Sequence, residues 1–301
     1  MSDPTIESVR IACSDGVSLA ADLHTPSGAV HARVLIAPAM GVKRRLYRSF
    51  ALALAGAGIE TLTLDYRGVG DSLQGSIRRE PATLHDWAER DLSAALAFLR
   101  ARGDAKVAWI GHSVGGQLMG LIDGARCPDA ALFVASQSGY WKNWDGFARA
   151  LIFGLWHLGI PAFTALTGRL PMNALGQGED LPKHVAREWA SWGRHPRYIM
   201  RYADARAACA FKTYTGPLRS YAIADDRYAP PRSVRALVAF YEHARADVVV
   251  VKPSDVGSKS LGHFNFFRER YRHTLWKDTI AWLGTALSVQ ALVEHGLARA
   301  S

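Results

Sequence analysis

Cysteine is scarce in this 301-residue chain: Cys13, Cys127 and Cys209 lie far apart and show neither C-x-x-C nor Cys/His ligand spacing. Neither a disulfide framework nor a thiolate metal site is supported, and the three read as reduced thiols. Acidic charge is in deficit, with 27 Asp and Glu against 36 Lys and Arg, a net charge of +9. The basic residues are spread along the chain without a helix-turn-helix, zinc-finger or RNA-binding signature, so no nucleic-acid partner is expected. Lys43, Arg44, Arg45 and Arg48 form one tight cluster, which reads as a solvated helix face. Charged residues make up only 21% against 49% hydrophobic, which excludes disorder and leaves ample apolar surface for a core. The stretch Met1-Ser2-Asp3-Pro4 lacks a basic segment followed by an apolar one, so a cytoplasmic location is expected by default. An uncharged run does occur at Ala150 to Thr167, but His157, Pro161 and two glycines interrupt it and Arg149 precedes it. A lid helix with one face on a site and one near solvent is expected there, not a stable membrane span.

What is present is alternation. Val9 to Cys13 and Ser18 to Leu23 alternate apolar and polar residues about Asp15-Gly16, a hairpin signal. Arg33 to Ala37 and Ile59 to Leu64 are short apolar runs separated by a helical pattern over Tyr47 to Ala57. A second helical stripe follows in Leu84, Trp87, Leu92, Ala95 and Leu99, then a buried strand at Val107 to Ile110, a helix at Val114 to Ile122 and a strand at Ala131 to Ala135. Strands alternating with helices predict a mostly parallel sheet covered on both faces. Between Ser136 and Pro217 the alternation stops, and the segment holds five of the nine tryptophans: Trp141, Trp144, Trp156, Trp189 and Trp192. The pattern returns with strands at Leu218 to Ala224 and Asp247 to Val251, a helix from Arg232 to His243 between them, and a terminal helix from Thr274. The chain thus divides into a core part over 1–135, a helical insertion over 136–216 and a second core part over 217–301.

The chemistry centres on Gly111-His112-Ser113-Val114-Gly115, at the junction of a predicted strand and a predicted helix. A nucleophile exposed on such a turn needs glycine two residues to either side, because a Cβ there would clash. The helix N-terminus after Ser113 supplies unpaired N–H groups and a partial positive charge where an oxyanion forms. A serine hydroxyl also needs a base within reach and a group to hold that base. His263, between Gly262 and Phe264 in the aromatic stretch Leu261 to Phe267, is a candidate base.

With Pro38 to Gly41, the run Asp65-Tyr66-Arg67-Gly68-Val69-Gly70-Asp71-Ser72, Gly111 to Gly116, Asp225-Asp226 and Gly262-His263-Phe264, the chain resembles the α/β-hydrolase superfamily, and more narrowly its serine aminopeptidase-like and monoglyceride-lipase-like branch. The resemblance implies an α/β-hydrolase fold, an eight-stranded and mostly parallel sheet with a helical lid after the sixth strand. It also implies the chain order serine, acid, histidine. That order leaves His263 out of eleven histidines, since the others precede Ser113, fall in the insertion, precede the last strand or, like His273, lie on the final helix. Asp225 and Asp226 both follow the strand where the acid belongs; the D-x-x-x-P spacing to Pro230 favours Asp226, with Asp225 as loop cap or helper acceptor. The oxyanion donors implied are the N–H groups of Val114 and Met40, and Asp65 to Ser72 is implied to be structural, with Arg67 holding loops. Pro38-Ala39 stands where relatives often carry His-Gly.

The expectation is a serine hydrolase cleaving a carboxylic ester or related acyl bond, without cofactor or metal, on a small and apolar acyl substrate. Acyl transfer or peptide cleavage by the same triad, and a non-catalytic binding protein on the same fold, are the rival readings.

Overall fold

The computed structural model describes residues 3–175, 178–203 and 208–297. Strands β1 (Thr5–Ala12) and β2 (Ser18–Thr25) form an antiparallel hairpin whose turn includes Gly16 at φ +83°. β3 (Ala32–Ala37) and β4 (Ile59–Leu64) are fully buried and pair in parallel across the helix Arg48–Gly56 that connects them. β5 (Val107–His112) and β6 (Ala130–Val134) continue the sheet. A two-stranded ladder, β7 (Arg169–Leu170) with β8 (Leu181–Pro182), lies in the insertion. β9 (Pro217–Ile223) and β10 (Arg245–Val251) complete an eight-stranded sheet of order β1-β2-β4-β3-β5-β6-β9-β10. Every pairing from β4 through β10 is parallel, while β1-β2 and β2-β4 are antiparallel. Two apolar clusters cover the two faces, one holding Trp87, Trp109 and Phe133, the other Phe50, Tyr221 and Trp276. Strands buried on both faces explain why the central ones read as unbroken apolar runs.

The helical insertion follows β6 and precedes β9, as the composition break implies. Helix ends depart from the sequence expectations where backbone hydrogen bonding tightens. The helix after Ser113 closes at Met119, not Ile122, because the N–H groups of Gly120, Leu121 and Ile122 bond three residues back. The helix Pro231–Val238 ends short of His243 for the same reason at Phe240 and Tyr241. At the C-terminus, Ser288 at φ +57° ends the helix Lys277–Leu287, and Gln290–Leu297 packs back as a second helix.

One expectation is overturned. Arg44 is not part of a solvated face: its guanidinium bonds Asp22 (3.0 Å), Asp71 (2.7 Å) and Asp65. Three carboxylates converge on it because the loop after β4 turns back over β2. Arg67, in that loop, reaches Asp91 (2.7 Å) on the Leu84–Arg100 helical segment and Asp15 (2.6 Å) in the hairpin turn.

Candidate active site

Ser113 sits between the end of β5 and the helix Val114–Met119 with φ +51° and ψ −115°, a conformation that side chains other than glycine rarely adopt. Such strain costs about 1–3 kcal/mol and persists only where the surroundings enforce it. Here the Ser113 N–H donates to Val134 O (2.9 Å), and the Trp109 indole N–H donates to Gly115 O (3.1 Å). The flanking glycines are steric requirements: a Cβ on Gly115 would lie 2.1 Å from Ala37 O, and one on Gly111 would lie 2.5 Å from Gly116 Cα.

The β9–helix loop and the loop after β10 meet beside Ser113. Asp226 Oδ1 accepts from the N–H groups of Tyr228 (2.8 Å) and Ala229 (3.1 Å), which leaves Oδ2 facing His263 Nδ1 at 2.6 Å. Because the carboxylate accepts, Nδ1 carries the proton and Nε2 presents a lone pair. Asp225 serves the loop instead. It accepts from Ser260 Oγ (2.7 Å) and from the Leu261 (3.0 Å) and Gly262 (2.9 Å) N–H groups. Burial raises its pKa, but these donors outweigh that and hold it below the ordinary carboxylate value.

Two residues outside the sequence-based set tie the loops together. The Ala39 N–H donates to Tyr47 Oη (2.9 Å), Tyr47 Oη lies 2.9 Å from His112 Nδ1, and His112 Nε2 lies 2.9 Å from the carbonyl oxygen of His263. A carbonyl can only accept, so His112 Nε2–H donates to it and Nδ1 accepts from the Tyr47 hydroxyl. Burial, reinforced by the neighbouring His263, holds the His112 pKa well below its usual value, so the ring is neutral as this chain of donors requires. No local pattern signals the relay, because Tyr47 and His112 are 65 positions apart.

The Met40 and Val114 N–H groups meet no backbone acceptor among the described residues. Met40, Ser113 and His263 line one cavity of about 220 Å³, whose wall is completed by residues of the insertion such as Trp156 and Ile160. Ser113 Oγ makes no hydrogen bond to His263 among the described residues; the two share the cavity wall. Among the described residues no Asp, Glu, Lys or Arg lines it, and the polar contributions come from Ser113, Gln137, His263 and Tyr228. Among the described residues no three His, Cys, Asp or Glu side chains gather as a metal site requires.

A profile of the Alpha/beta hydrolase family matches residues 34–272. The chain belongs to that family. Solved structures similar to this alpha/beta hydrolase include the Alpha/beta hydrolase GrgF from Penicillium sp. sh18, at 17% identity and a TM-score of 0.61 over 94% of this chain and 99% of that one. The Pyrococcus furiosus esterase PF2001 matches at 14% identity and a TM-score of 0.62, covering 94% and 92%. A thermophilic esterase from Thermogutta terrifontis matches at 16% and 0.55, covering 93% and 99%. At these identities the likeness is one of fold, and it singles out no branch.

The hydrolase's insertion is anchored at several points. Trp144 Nε1 donates to Arg227 O (3.0 Å) and Tyr198 Oη to Gln117 Oε1 (2.8 Å) on the helix after Ser113, while Trp156 Nε1 donates to Gly139 O (2.9 Å) within the insertion. Glu188 accepts from the Leu84 N–H (2.6 Å) and pairs with His85. The five tryptophans divide: Trp144, Trp156 and Trp189 line the cavity, Trp192 is buried against Tyr198, and Trp141 packs on Phe153.

Proposed function

We propose that this alpha/beta hydrolase cleaves carboxylic esters of apolar acids through an acyl-enzyme on Ser113. The observation that carries this reading is the strained Ser113 sharing one apolar cavity with a His263 whose Nδ1 is 2.6 Å from Asp226. In this reading His263 Nε2 takes the Ser113 proton as Oγ attacks the ester carbonyl, and Asp226 stabilises the imidazolium. The Met40 and Val114 N–H groups hold the tetrahedral oxyanion, each worth on the order of 10²–10³ in rate. His263 then protonates the departing alcohol, and water activated by the same ring releases the acid.

The cavity wall also favours ester over aminopeptidase chemistry. A free ammonium group needs a carboxylate to anchor it, and none lines the cavity among the described residues. Apolar acyl chains gain by burial there, at about 25 cal/mol per Å².

The test is a panel of p-nitrophenyl esters of increasing acyl length. Ser113→Ala should lower kcat by about 10⁶-fold and abolish labelling by a fluorophosphonate. Asp226→Asn should cost about 10⁴-fold, with Asp225→Asn far milder because Asp225 braces the loop and not the ring. Undiminished turnover by Ser113→Ala, or equal losses at the two aspartates, would overturn the assignment.

A further inference from the structure

Gly146–Thr167 forms a continuous 22-residue helix, apolar on both faces. Inward, Trp156, Ile160 and Thr164 are buried, and the first two line the cavity. Outward, Phe147, Leu151, Leu158 and Leu166 follow at intervals of four, seven and eight residues, which places them on one stripe. Their exposures are 83%, 61%, 71% and 85%. Among the described residues, seven large hydrophobic side chains are exposed to a marked degree; six are on this helix, and the seventh, Tyr228, lines the same cavity. Scattered apolar residues are ordinary on a protein surface, but this concentration is not.

The surroundings of the stripe are cationic. The helix contains no acidic residue, and Arg149 is its one Lys or Arg. Lys142 lies 5.2 Å over the Trp141 ring at its N-terminal end, and Arg232 is near by, bonded to Asp145 (3.2 Å). At the C-terminal end Arg78 packs on Gly168, and Arg169 follows, paired with Asp180 (2.8 Å). These five cations face two carboxylates. Tryptophan and lysine bordering an apolar stripe are the residues that settle at the boundary between lipid headgroups and acyl chains.

From these features we infer that the protein docks flat on an anionic bilayer, with the outer stripe of Gly146–Thr167 in the boundary layer and the cationic rim on the lipid phosphates. The helix is long and apolar enough to cross a membrane, but crossing would strip Trp156 from Gly139 O and Ile160 from the core. Lying flat keeps both contacts. A second copy of the chain is the poorer occupant, because a two-fold pairing of this face would set the two cationic rims against each other. Phe163 and Tyr228 are part-exposed and also line the cavity, so its mouth opens on the docked face. Passage of an apolar ester from bilayer to Ser113 rests on the function proposed above; the docking does not.

Docking is measured without turnover, by floating full-length Ser113→Ala protein with vesicles of phosphatidylcholine and phosphatidylserine in equal parts, or of phosphatidylcholine alone. The protein should float with the anionic vesicles, less so at high salt. Adding Phe147→Asp, Leu158→Asp and Leu166→Asp together should cut the partition coefficient by at least about tenfold while the thermal melt stays that of the parent. None of the three lines the cavity. If the triple variant melts early, the three single variants decide, each with an expected loss of about two- to fourfold. The inference is overturned if the parent floats with neither vesicle, if the substitutions leave flotation unchanged, or if both vesicle types bind equally. A parent that is dimeric and becomes monomeric on substitution, with no flotation, assigns the face to a second copy instead.

Discussion

Tyr47 holds two loops at once through a single hydroxyl, accepting from the Ala39 N–H and donating to His112. Tyr47→Phe would leave both partners buried and unbonded. Each such orphan costs about 1–3 kcal/mol. The expected outcome is a lower denaturant midpoint together with a lower kcat at unchanged KM, because the relay fixes the Ala39–Met40 backbone and the His263 backbone while neither Tyr47 nor His112 itself lines the cavity. A rise in KM with kcat intact would mean that Tyr47 shapes the pocket instead. The same scale explains why Asp226 and Asp225 are not interchangeable: one spends its oxygens on a ring nitrogen and two N–H groups, the other on three donors of the loop carrying that ring.

At the scale of elements, glycines mark where the backbone has no room and where it merely has freedom. A Cβ on Gly115 meets Ala37 O at 2.1 Å and Pro38 O at 2.9 Å, backbone atoms that cannot rotate away. Gly115→Ala should therefore force β3 and the helix after Ser113 apart and cost about 1–3 kcal/mol in denaturant titration. Gly154, inside the Gly146–Thr167 helix, has nothing within 4 Å of its missing Cβ. Gly154→Ala should instead raise the stability, by up to about 1 kcal/mol in the same titration, since alanine loses less backbone entropy in a helix. A destabilised Gly154→Ala variant would show that the π-helical turn that follows at Leu155–Gly159 needs that glycine.

Across the whole molecule, Arg67 ties the β1–β2 turn, the loop after β4 and the Leu84–Arg100 segment through Asp15 and Asp91. Its hydrogen bond to Asp15 lowers that carboxyl to about 2 from an ordinary 3.8. A depressed folded-state pKa contributes stability that is present above the unfolded value and is lost as pH falls through the folded one. The stability should therefore drop between about pH 4 and pH 2 by about 1 kcal/mol from this group, after allowance for solvent screening. Asp15→Asn should flatten that part of the urea midpoint against pH; an unchanged slope would remove Asp15 from the account.

Much of this was written along the chain. Buried parallel strands declare themselves as apolar runs, and Ile59–Leu64 has the bounds that its composition predicts. The strand-to-helix setting of Ser113 and the break in alternation after β6 are local too, because periodicity and glycine placement depend on near neighbours. What depends on residues meeting across the chain stayed out of reach. Sequence leaves Asp225 and Asp226 level but for a spacing, takes Arg44 for a solvated cation, and cannot divide cavity-lining Trp156 from core-packing Trp192. It expects a lid helix with one face on the site and one near solvent, but not which face is which, since a helix apolar all round carries no periodic sign of the covered face. Those distinctions came from the folding of segments 21 to 151 residues apart onto one another, which sets hydrogen-bond partners and exposure and leaves no mark on local pattern.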